Sequence, residues 1–209
     1  MIRDAKCRIC RRAGEKLFLK GEKCFTPKCV FIKKPYPPGK LQSERKHRSN
    51  LTDYGIQLRE KQKVRNIYGI SEKQFSRYVE EAMRKKSSSV NLLYEILESR
   101  LDNVVFRLGL ASSRGMSRQF VSHGHITVNG RRVTIPSYRV SPGDILAIRG
   151  GSATKAVFGN LSEKLKKYPY PAWIKFDLES NKGEIVAKPK EEKTTMPFNL
   201  DSVIEFYSR

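Results

Sequence analysis

The chain has 209 residues, with 42 Lys and Arg against 21 Asp and Glu, which gives a formal net charge of +21 and a pI near 10.0. Apolar residues make up 38% of the sequence, enough for one or two compact cores, but no apolar run has the roughly 18 residues of a transmembrane helix. So large a positive charge favours an anionic partner, with nucleic acid first and an acidic membrane surface second. The N-terminal segment has no apolar stretch typical of a secretory signal, so we expect a cytoplasmic protein.

The positive charge is concentrated in the first half of the chain. Residues 1–90 contain 24 basic and 9 acidic residues, a net of +15, while residues 91–209 add +6. Aromatic residues are interspersed among the basic ones, a composition suited to contacting phosphates and stacking on bases. A membrane surface would call for a basic amphipathic helix with a wide apolar face or a lipidation site, and the sequence shows neither. We therefore predict nucleic acid as the partner, with no membrane and no small-molecule substrate.

Four cysteines lie within 23 positions near the N-terminus and are the only ones in the chain: Cys7, Cys10, Cys24 and Cys29. The spacing, C-x2-C followed by C-x4-C, predicts a closed tetrahedral site for one metal ion, with zinc favoured. An iron–sulfur cluster would use the same four thiolates and is the less favoured occupant. Disulfides and unligated thiols are the other interpretations, and a cytoplasmic location argues against disulfides. Because four sulfurs fill the coordination shell, we expect the metal to be structural.

Further along the first half, a Pro-Pro-Gly cluster at residues 36–39 precedes a polar, basic stretch at 40–50, which predicts an extended linker. A helical pattern then runs from Thr52 to Tyr68 and is closed by Gly69. A capping box at Ser71 opens another helix that reaches about Lys86. The buried face of that helix is expected to comprise Phe75, Tyr78, Val79 and Ala82.

In the second half, apolar spacing predicts one continuous helix from about Asn91 to Leu108, followed by a short basic helix from Ser113 to Ser122. Gly124 is the expected left-handed cap, and Asn129-Gly130 predicts a two-residue hairpin turn after a strand at residues 126–128. The two helices and the hairpin that carries arginines form a predicted phosphate-binding surface. The remaining stretch predicts a basic helix at 161–168, a hairpin at 172–187 with Trp173 in the core, and a packed segment at 203–207.

Several stretches resemble known sequence signatures. Residues 98–109 (ESRLDNVVFRLG) are similar to the opening helix of the ribosomal S-four-type RNA-binding domain, and residues 123–133 (HGHITVNGRRV) to its second signature. Other stretches resemble the bacterial small-subunit ribosomal protein S-four family in its four-cysteine, zinc-binding form. These stretches are residues 7–12, 17–21, 35–39, 58–62, 67–71 and 204–209. The resemblance therefore covers nearly the whole chain.

The resemblance implies a structural constituent of the small ribosomal subunit, not an enzyme, that binds the five-prime domain of 16S ribosomal RNA. Such a protein nucleates assembly of the subunit body and, with ribosomal protein S-five, supports translational accuracy. Its implied partners are 16S ribosomal RNA, S-five and other small-subunit proteins, and mRNA near the entry channel. The implied location is the ribosome in the cytoplasm.

The chain departs from the family pattern at two places. The family usually has two adjacent arginines early in the second helix of the RNA-binding domain, where this chain has Arg114-Gly115. The family also commonly has a His-Gly pair shortly after the Pro-Pro-Gly cluster, where this chain has Lys40-Leu41-Gln42. The first departure predicts one phosphate contact fewer, and the second predicts a different local path of the linker.

We therefore predict an α+β fold with a mostly helical N-terminal domain that contains a four-cysteine metal knuckle, plus a small RNA-binding domain of two helices and a β-hairpin. The predicted domains are a metal-binding segment with a basic arm at 1–45, a basic helical region at 46–97, and the RNA-binding domain at 98–164. Residues 165–209 are expected to pack back on the helical region.

The candidate RNA contacts are mostly basic side chains of these segments. They are Arg3, Arg11, Arg12, Lys20, Lys33, Lys34, Arg45, Lys46, Arg48, Arg59, Lys61, Lys63, Arg114, Arg118, Gln119, His123, Asn129, Arg131 and Arg132. One alternative is an RNA-modifying enzyme that grips its substrate through the small domain. The roughly sixty residues after position 150 are too few for its catalytic domain. A zinc-bearing DNA-binding regulator is the third hypothesis.

Overall fold

Two compact units make up the chain, Met1–Leu93 with Glu192–Arg209 (unit 1) and Tyr94–Glu191 (unit 2). The structure is a computed structural model that describes residues 6–39, 51–85, 88–159, 165, 168–177, 180–190 and 197–208. The predicted linker at 40–50 lies outside these residues, and so does most of the predicted helix at 161–168. Among the helices described, none is long and apolar enough to cross a membrane.

The described segments contain mostly short helices, two 3-10 turns and five short strands. The helices are α1 (Lys6–Ala13), α2 (Val30–Lys33), α3 (Asp53–Tyr68), α4 (Glu72–Arg84), α5 (Ser89–Glu98), α6 (Leu101–Arg107), α7 (Arg114–Ser122), α8 (Gly150–Ala153) and α9 (Leu200–Tyr207). The 3-10 turns are Gly21–Cys24 and Ala156–Phe158. The strands are β1 (Ile126–Val128), β2 (Arg131–Arg132), β3 (Ile145–Ile148), β4 (Ile174–Asp177) and β5 (Lys182–Ile185).

In unit 1, the predicted limits of α3 and the predicted start of α4 are confirmed by their caps, whereas α4 ends at Arg84, before the predicted end at about Lys86. The Thr52 hydroxyl accepts a hydrogen bond from the Gly55 N–H at 3.3 Å, and α3 ends at Gly69 in the left-handed conformation with φ 65°. The Ser71 hydroxyl accepts from the Gln74 N–H and begins α4. The buried residues of α4 are the four predicted apolar ones, so the local signals placed this helix and its core face correctly.

The closing helix α9 packs against α3 and α4, which confirms the prediction that the apolar C-terminal segment is packed. Val203 is fully buried, and the Tyr207 hydroxyl donates to Glu72 Oε1 at 2.7 Å. Burial and this hydrogen bond to a carboxylate raise the pKa of Tyr207 well above its ordinary value. The tyrosine therefore stays protonated and works as a donor that joins α9 to α4.

The predicted continuous helix from Asn91 to Leu108 is wrong, because the chain breaks at Ser99-Arg100 into α5 and α6. Arg100 is extended, with φ −66° and ψ 136°, and its backbone bridges to Arg139. Hydrogen bonds run from the Val140 N–H to the Ser99 carbonyl at 2.9 Å and from the Leu101 N–H to the Tyr138 carbonyl at 2.8 Å. The helix is thus interrupted by backbone pairing with a segment some forty residues later in the chain. Helical periodicity does not reveal such a long-range contact.

The strands of unit 2 form one antiparallel sheet in the order β2-β1-β3-β5-β4. Asn129 and Gly130 have φ of 50° and 76°, as the predicted two-residue turn between β1 and β2 requires. The hairpin of β4 and β5 extends this sheet because β5 pairs with β3, and Trp173 beside it is buried in the core as predicted. Residues 165–209 therefore do not pack back as one piece. The stretch up to Glu191 belongs with unit 2, and only the last residues belong with unit 1.

A buried polar network holds α5, α6 and α7 together. Glu98 is fully buried, and its carboxylate accepts from Arg107 Nε at 2.7 Å and from Asn103 Nδ2 at 2.9 Å. Arg100 and Asp102, also buried, form an ion pair of 2.7 Å. Buried charges are costly unless they are paired and hydrogen-bonded, and these groups satisfy both conditions.

We expect Glu98→Gln to lower the free energy of unfolding of unit 2 by about 3 kcal/mol, because it leaves basic partners without their buried counter-charge. The same substitution one turn earlier, Glu95→Gln, breaks only the pair with the exposed Lys188 (2.8 Å) and should lower the free energy of unfolding far less. Urea unfolding followed through the fluorescence of Trp173 measures both. Equal losses in the two variants would contradict the assigned role of Glu98.

Candidate nucleic-acid interface

In unit 2, His125 follows the C-terminal end of α7 and leads into β1. Its Nδ1 lies 3.0 Å from the hydroxyl of Ser152, which is buried in α8. The rings of Phe120 and Phe158 meet the imidazole edge-on, with centroids 6.1 and 6.0 Å away. These contacts fix the ring at a surface where the helix end and the sheet meet.

Four basic side chains surround this histidine: His123, Arg132, Arg149 and Lys155. Burial, followed by the charges of Lys155, His123, Arg149 and Arg132, lowers the pKa of His125. Within the described residues, no carboxylate forms an ion pair with Arg132, Arg149 or Lys155. We call these four residues together with His125 the basic cluster, and a concentration of positive charge without anionic partners is the arrangement that a phosphate group neutralises.

Gly124 allows Arg132 to join the basic cluster. It has φ 71°, the left-handed conformation predicted for the cap of α7, and a Cβ there would collide with the Arg132 guanidinium. Arg132 Nη2 reaches the His123 carbonyl at 3.5 Å, a weak bond that leaves most of its donors unused. The glycine thus serves both the turn and the close approach of the arginine to the helix end.

The two arginines of β2 do not form one group. Successive side chains of a strand point to opposite faces, and only Arg132 lies among the groups that act on His125. Both side chains are exposed, as a contact with RNA requires.

Asn129, predicted as an RNA contact, is engaged in its own turn. Its Nδ2 donates to Asp144 Oδ1 at 2.8 Å, and its Oδ1 accepts from the Ile145 N–H at 2.8 Å. Its amide thus ties the hairpin turn to the start of β3, so its main role in this structure is to hold the turn.

Arg114, predicted as a phosphate contact, is likewise engaged within the fold, and its assignment to RNA stays a prediction. Its Nε donates to Asn103 Oδ1 at 2.7 Å, its guanidinium lies 4.6 Å from the centre of the Phe106 ring, and Nη2 is 3.8 Å from Glu98. The side chain therefore anchors the start of α7 to the buried network. One turn later, the Arg118 side chain lies 3.6 Å from Asp102 and is 37% exposed, and Gln119 is exposed, so both side chains are accessible to a ligand.

In unit 1, the structure corrects the assignment of Lys61 and Lys63, which are both buried. Lys61 Nζ lies 2.6 Å from Glu72 and 4.6 Å from the centre of the Phe206 ring. Lys63 binds Glu15 at 2.8 Å and Glu60 at 2.6 Å. Burial alone would lower the pKa of Lys63, but the hydrogen bonds to the two glutamates outweigh it and raise that pKa. These lysines hold the fold and are not accessible to a ligand.

Arg11 also acts within the fold. Its Nε donates to the Tyr36 carbonyl at 2.8 Å, its guanidinium lies 4.8 Å from the centre of the Tyr36 ring, and Nη2 reaches the Pro37 carbonyl at 3.4 Å. The arginine thereby ties the Pro-rich segment to α1. Arg8 and Arg12 are exposed on the same helix and line a shallow groove with Pro38 and Gly39, which leaves two basic side chains available beside the segment.

The other predicted basic contacts of unit 1 are on its surface where the structure describes them. Lys20, Lys33, Lys34 and Arg59 are exposed. Arg3, Arg45, Lys46 and Arg48 lie outside the described residues, so their assignment stays a prediction.

The four cysteines come from three local elements of unit 1. Cys7 and Cys10 lie on α1, Cys24 ends the 3-10 turn, and Cys29 caps α2. All four are free thiols. Burial raises the pKa of Cys10, an N–H of Leu17 opposes this, and the nearby Cys24, Cys7 and Cys29 raise it further. The four sulfurs are thus within electrostatic reach of one another.

The arrangement of these sulfurs does not amount to a formed metal centre. Across the described residues, no group of three or more His, Cys, Asp or Glu side chains is placed so that it could hold a metal ion. The donor chemistry suits zinc, and the N–H of Lys20 donates a hydrogen bond to Cys24 Sγ at 3.4 Å. The four cysteines therefore supply the donor atoms of the predicted metal knuckle, but their sulfurs are not placed as a metal site requires.

Sequence reasoning missed three basic residues that the structure places at these surfaces: Arg8, Arg149 and Lys155. Arg149 joins the basic cluster because its N–H donates to the His125 carbonyl at 2.8 Å, next to the pairing of β1 with β3. Lys155 comes shortly after the end of α8. Both lie in a Gly-rich stretch after β3, and only the strand pairing brings that stretch back to His125.

Comparison with known proteins identifies both units. Residues 2–98 match the family described as "Ribosomal protein S4/S9 N-terminal domain", and residues 99–146 match the "S4 domain". The chain is 50% identical over 203 residues to small ribosomal subunit protein uS4 of Caldicellulosiruptor saccharolyticus, and equally to that of Thermus thermophilus, covering 97% of this chain and 96% of each relative. It is 48% identical over 206 residues to the uS4 protein of Ruminiclostridium cellulolyticum, covering 99% of this chain and 98% of the relative.

The basic cluster makes a prediction about the titration of His125. Burial, followed by the charges of its positive neighbours, lowers the pKa of His125 below the ordinary value of 6.5. We therefore expect Lys155→Ala to raise that pKa and Arg131→Ala, on the other face of β2, to leave it unchanged. The pKa of His125 is lower in the folded protein than in the unfolded chain, so the unfolded chain binds more protons as the pH falls below about 6.5. The free energy of unfolding therefore decreases below that pH. NMR titration of the imidazole C–H resonances measures the pKa, and an equal shift in both variants would contradict the arrangement.

Proposed function

The chain belongs to the uS4 family of small ribosomal subunit proteins, which are structural RNA-binding proteins and not enzymes, and we propose that it binds the five-prime domain of 16S ribosomal RNA and nucleates assembly of the subunit body. Family membership extends through both units and disfavours the two other hypotheses, an RNA-modifying enzyme and a DNA-binding regulator. The prediction of the family from the sequence motifs is confirmed, and its zinc-binding form stays a prediction.

The basic cluster is the observation that carries the proposal for this chain's own residues. Arg132, Arg149 and Lys155 lie together at a surface without ion-paired carboxylates among the described residues, so a phosphate of the RNA supplies their counter-charge. His125 stays largely neutral beside them at neutral pH and can donate or accept a hydrogen bond at a sugar or phosphate oxygen.

The mechanism is positioning. Unit 1 presents Arg8, Arg12, Lys33 and Lys34, and unit 2 presents the basic cluster with Arg118 and Arg131, so both units offer phosphate contacts. Each contact releases counterions from the RNA, and a rigid folded unit holds the contacted backbones at fixed positions. Recognition in this proposal rests on the shape of folded RNA, because the grooves of A-form helices give little access to base edges.

The relationship to the uS4 family also supports more specific partners. We include in the proposal a contact with ribosomal protein S-five that supports translational accuracy, contacts with other small-subunit proteins, and proximity to mRNA at the entry channel. The protein would perform this work on the ribosome in the cytoplasm.

We also propose that the four cysteines bind one structural zinc ion, with an iron–sulfur cluster as the less favoured occupant. Support comes from four free thiols in one small region and from backbone N–H groups of Leu17 and Lys20 directed at two of the sulfurs. Bound zinc would cross-link a segment that has few buried apolar residues of its own. Since ligand binding of this kind is coupled to folding, the ion would draw the sulfurs into a tetrahedral set.

For RNA binding, we expect the affinity for the five-prime domain of 16S ribosomal RNA to fall steeply with salt. Arg132→Ala and Arg149→Ala should each weaken binding and reduce the slope of log K against log salt by about 0.7–0.9, because each removes one phosphate contact. Lys188→Ala is the matched control, since that lysine pairs with Glu95. Filter binding at several salt concentrations measures the slopes. Salt-independent binding, or equal effects of all three variants, would refute the proposal.

For the metal, removal by a chelator should speed amide exchange in residues 6–39 and leave unit 2 unchanged, because the ion is proposed to hold only the N-terminal segment. Hydrogen–deuterium exchange with mass spectrometry measures this, and elemental analysis of the purified chain distinguishes zinc from iron. Unchanged exchange in residues 6–39 after verified metal removal would contradict a structural metal.

A further inference from the structure

Two phenylalanines of unit 1 form an exposed stacked pair. The ring centroids of Phe18 and Phe25 are 4.8 Å apart with an interplanar angle of 25°, and the side chains come from either side of the 3-10 turn Gly21–Cys24. Phe18 is 43% exposed and Phe25 is 74% exposed, the highest value among the large apolar side chains that the structure describes. Stacking covers one face of each ring, so the outer face of Phe25 is open to solvent.

Burial does not explain this pair. Phe18 has φ 50°, a left-handed conformation that is strained for a non-glycine residue. Its neighbours Leu17 and Cys24 are buried and anchor the segment, whereas the two rings are directed outward. The backbone thus accepts strain while the aromatic surface stays exposed.

The charge around the pair identifies what would cover it. Residues 16–28 contain four lysines and one glutamate, and Lys20, Lys23 and Lys28 are exposed. Lysine is depleted at the centres of protein–protein interfaces, whereas lysines beside exposed aromatic rings are typical of surfaces that bind unpaired nucleic acid. Every base presents an apolar face to stack on a ring, and its flanking phosphates meet the lysines.

We propose that Phe18 and Phe25 form a stacking platform for one unpaired base of the RNA, with the base on the outer face of Phe25 and the flanking phosphates near Lys20, Lys23 and Lys28. The platform rests on the proposed function, since it assigns a further contact to the same RNA partner. It adds an interaction with a base to a protein whose other proposed contacts are with the RNA backbone. Phe18 supports Phe25 from behind and holds its ring in place.

The test compares two ligands that differ only in their bases. The full-length protein is titrated with a short single-stranded oligo(A) RNA and with an abasic oligomer of equal length and charge. Phe25→Ala should weaken binding to oligo(A) by about 5- to 100-fold, the range expected for one base–aromatic stack, and leave binding to the abasic oligomer unchanged. Phe25→Trp should restore the affinity for oligo(A). Ile32→Ala is the matched control, since it removes another exposed apolar side chain (48% exposed) of the same segment.

The outcomes separate the platform from the proposed function. If wild-type protein binds 16S ribosomal RNA but Phe25→Ala affects oligo(A) and the abasic oligomer equally, the platform is refuted and the function stands. If wild-type protein binds no ribosomal RNA, the proposed function fails. Circular dichroism of each variant verifies the fold. Loss of affinity for a small-subunit protein with unchanged binding to oligo(A) would show that the pair docks a protein, which also overturns the proposal.

Discussion

The buried carboxylate of Glu98 is the constraint on which unit 2 depends. Without Arg107 and Asn103 around it, a charge in the core would cost several kcal/mol, so the helices that supply these partners have to meet at this point. Asn103 links this constraint to α7, because its side-chain Oδ1 accepts a hydrogen bond from Arg114 Nε and so fixes the start of α7. The other end of α7 then delivers His125 and its neighbours to the surface. A buried network thereby determines where the basic cluster lies.

Unit 1 uses its basic residues in two different ways. Lys61 and Lys63 are buried against glutamates, and their charges join α3 to α4, α9 and the N-terminal segment. Arg8, Arg12, Lys33 and Lys34 are among the exposed basic residues that carry the surface charge. Because the first half has few acidic residues, pairing some of them with buried lysines leaves the exposed basic groups to external anions. The net charge of +21 therefore overstates the number of groups that can contact RNA.

Sequence reasoning succeeded where the cause of a structure is local. The caps of α3 and α4, the left-handed Gly124 and the Asn129-Gly130 turn all depend on a few neighbouring residues, and they were predicted correctly. It failed where distant segments meet. The break at Ser99-Arg100 requires the segment at residues 136–140, and the sheet acquires its last two strands only through the pairing of β3 with β5. The same limit explains the wrong assignment of the buried lysines, since Glu72 and Glu15 come from other segments and no periodicity reveals them.

The departure of α7 from the family pattern now has a structural interpretation. Where the family usually has two adjacent arginines, this chain has Arg114 followed by Gly115. Arg114 is committed to Asn103 and to the ring of Phe106, whereas Gly115 is exposed at the first turn of the helix. The arginine that is kept is therefore the one that the fold needs, and the one that is absent is the one that would face solvent. A glycine at this exposed position costs the helix up to about 1 kcal/mol and removes a donor from the surface, so the proposed phosphate contacts of unit 2 rest on Arg118 and the basic cluster.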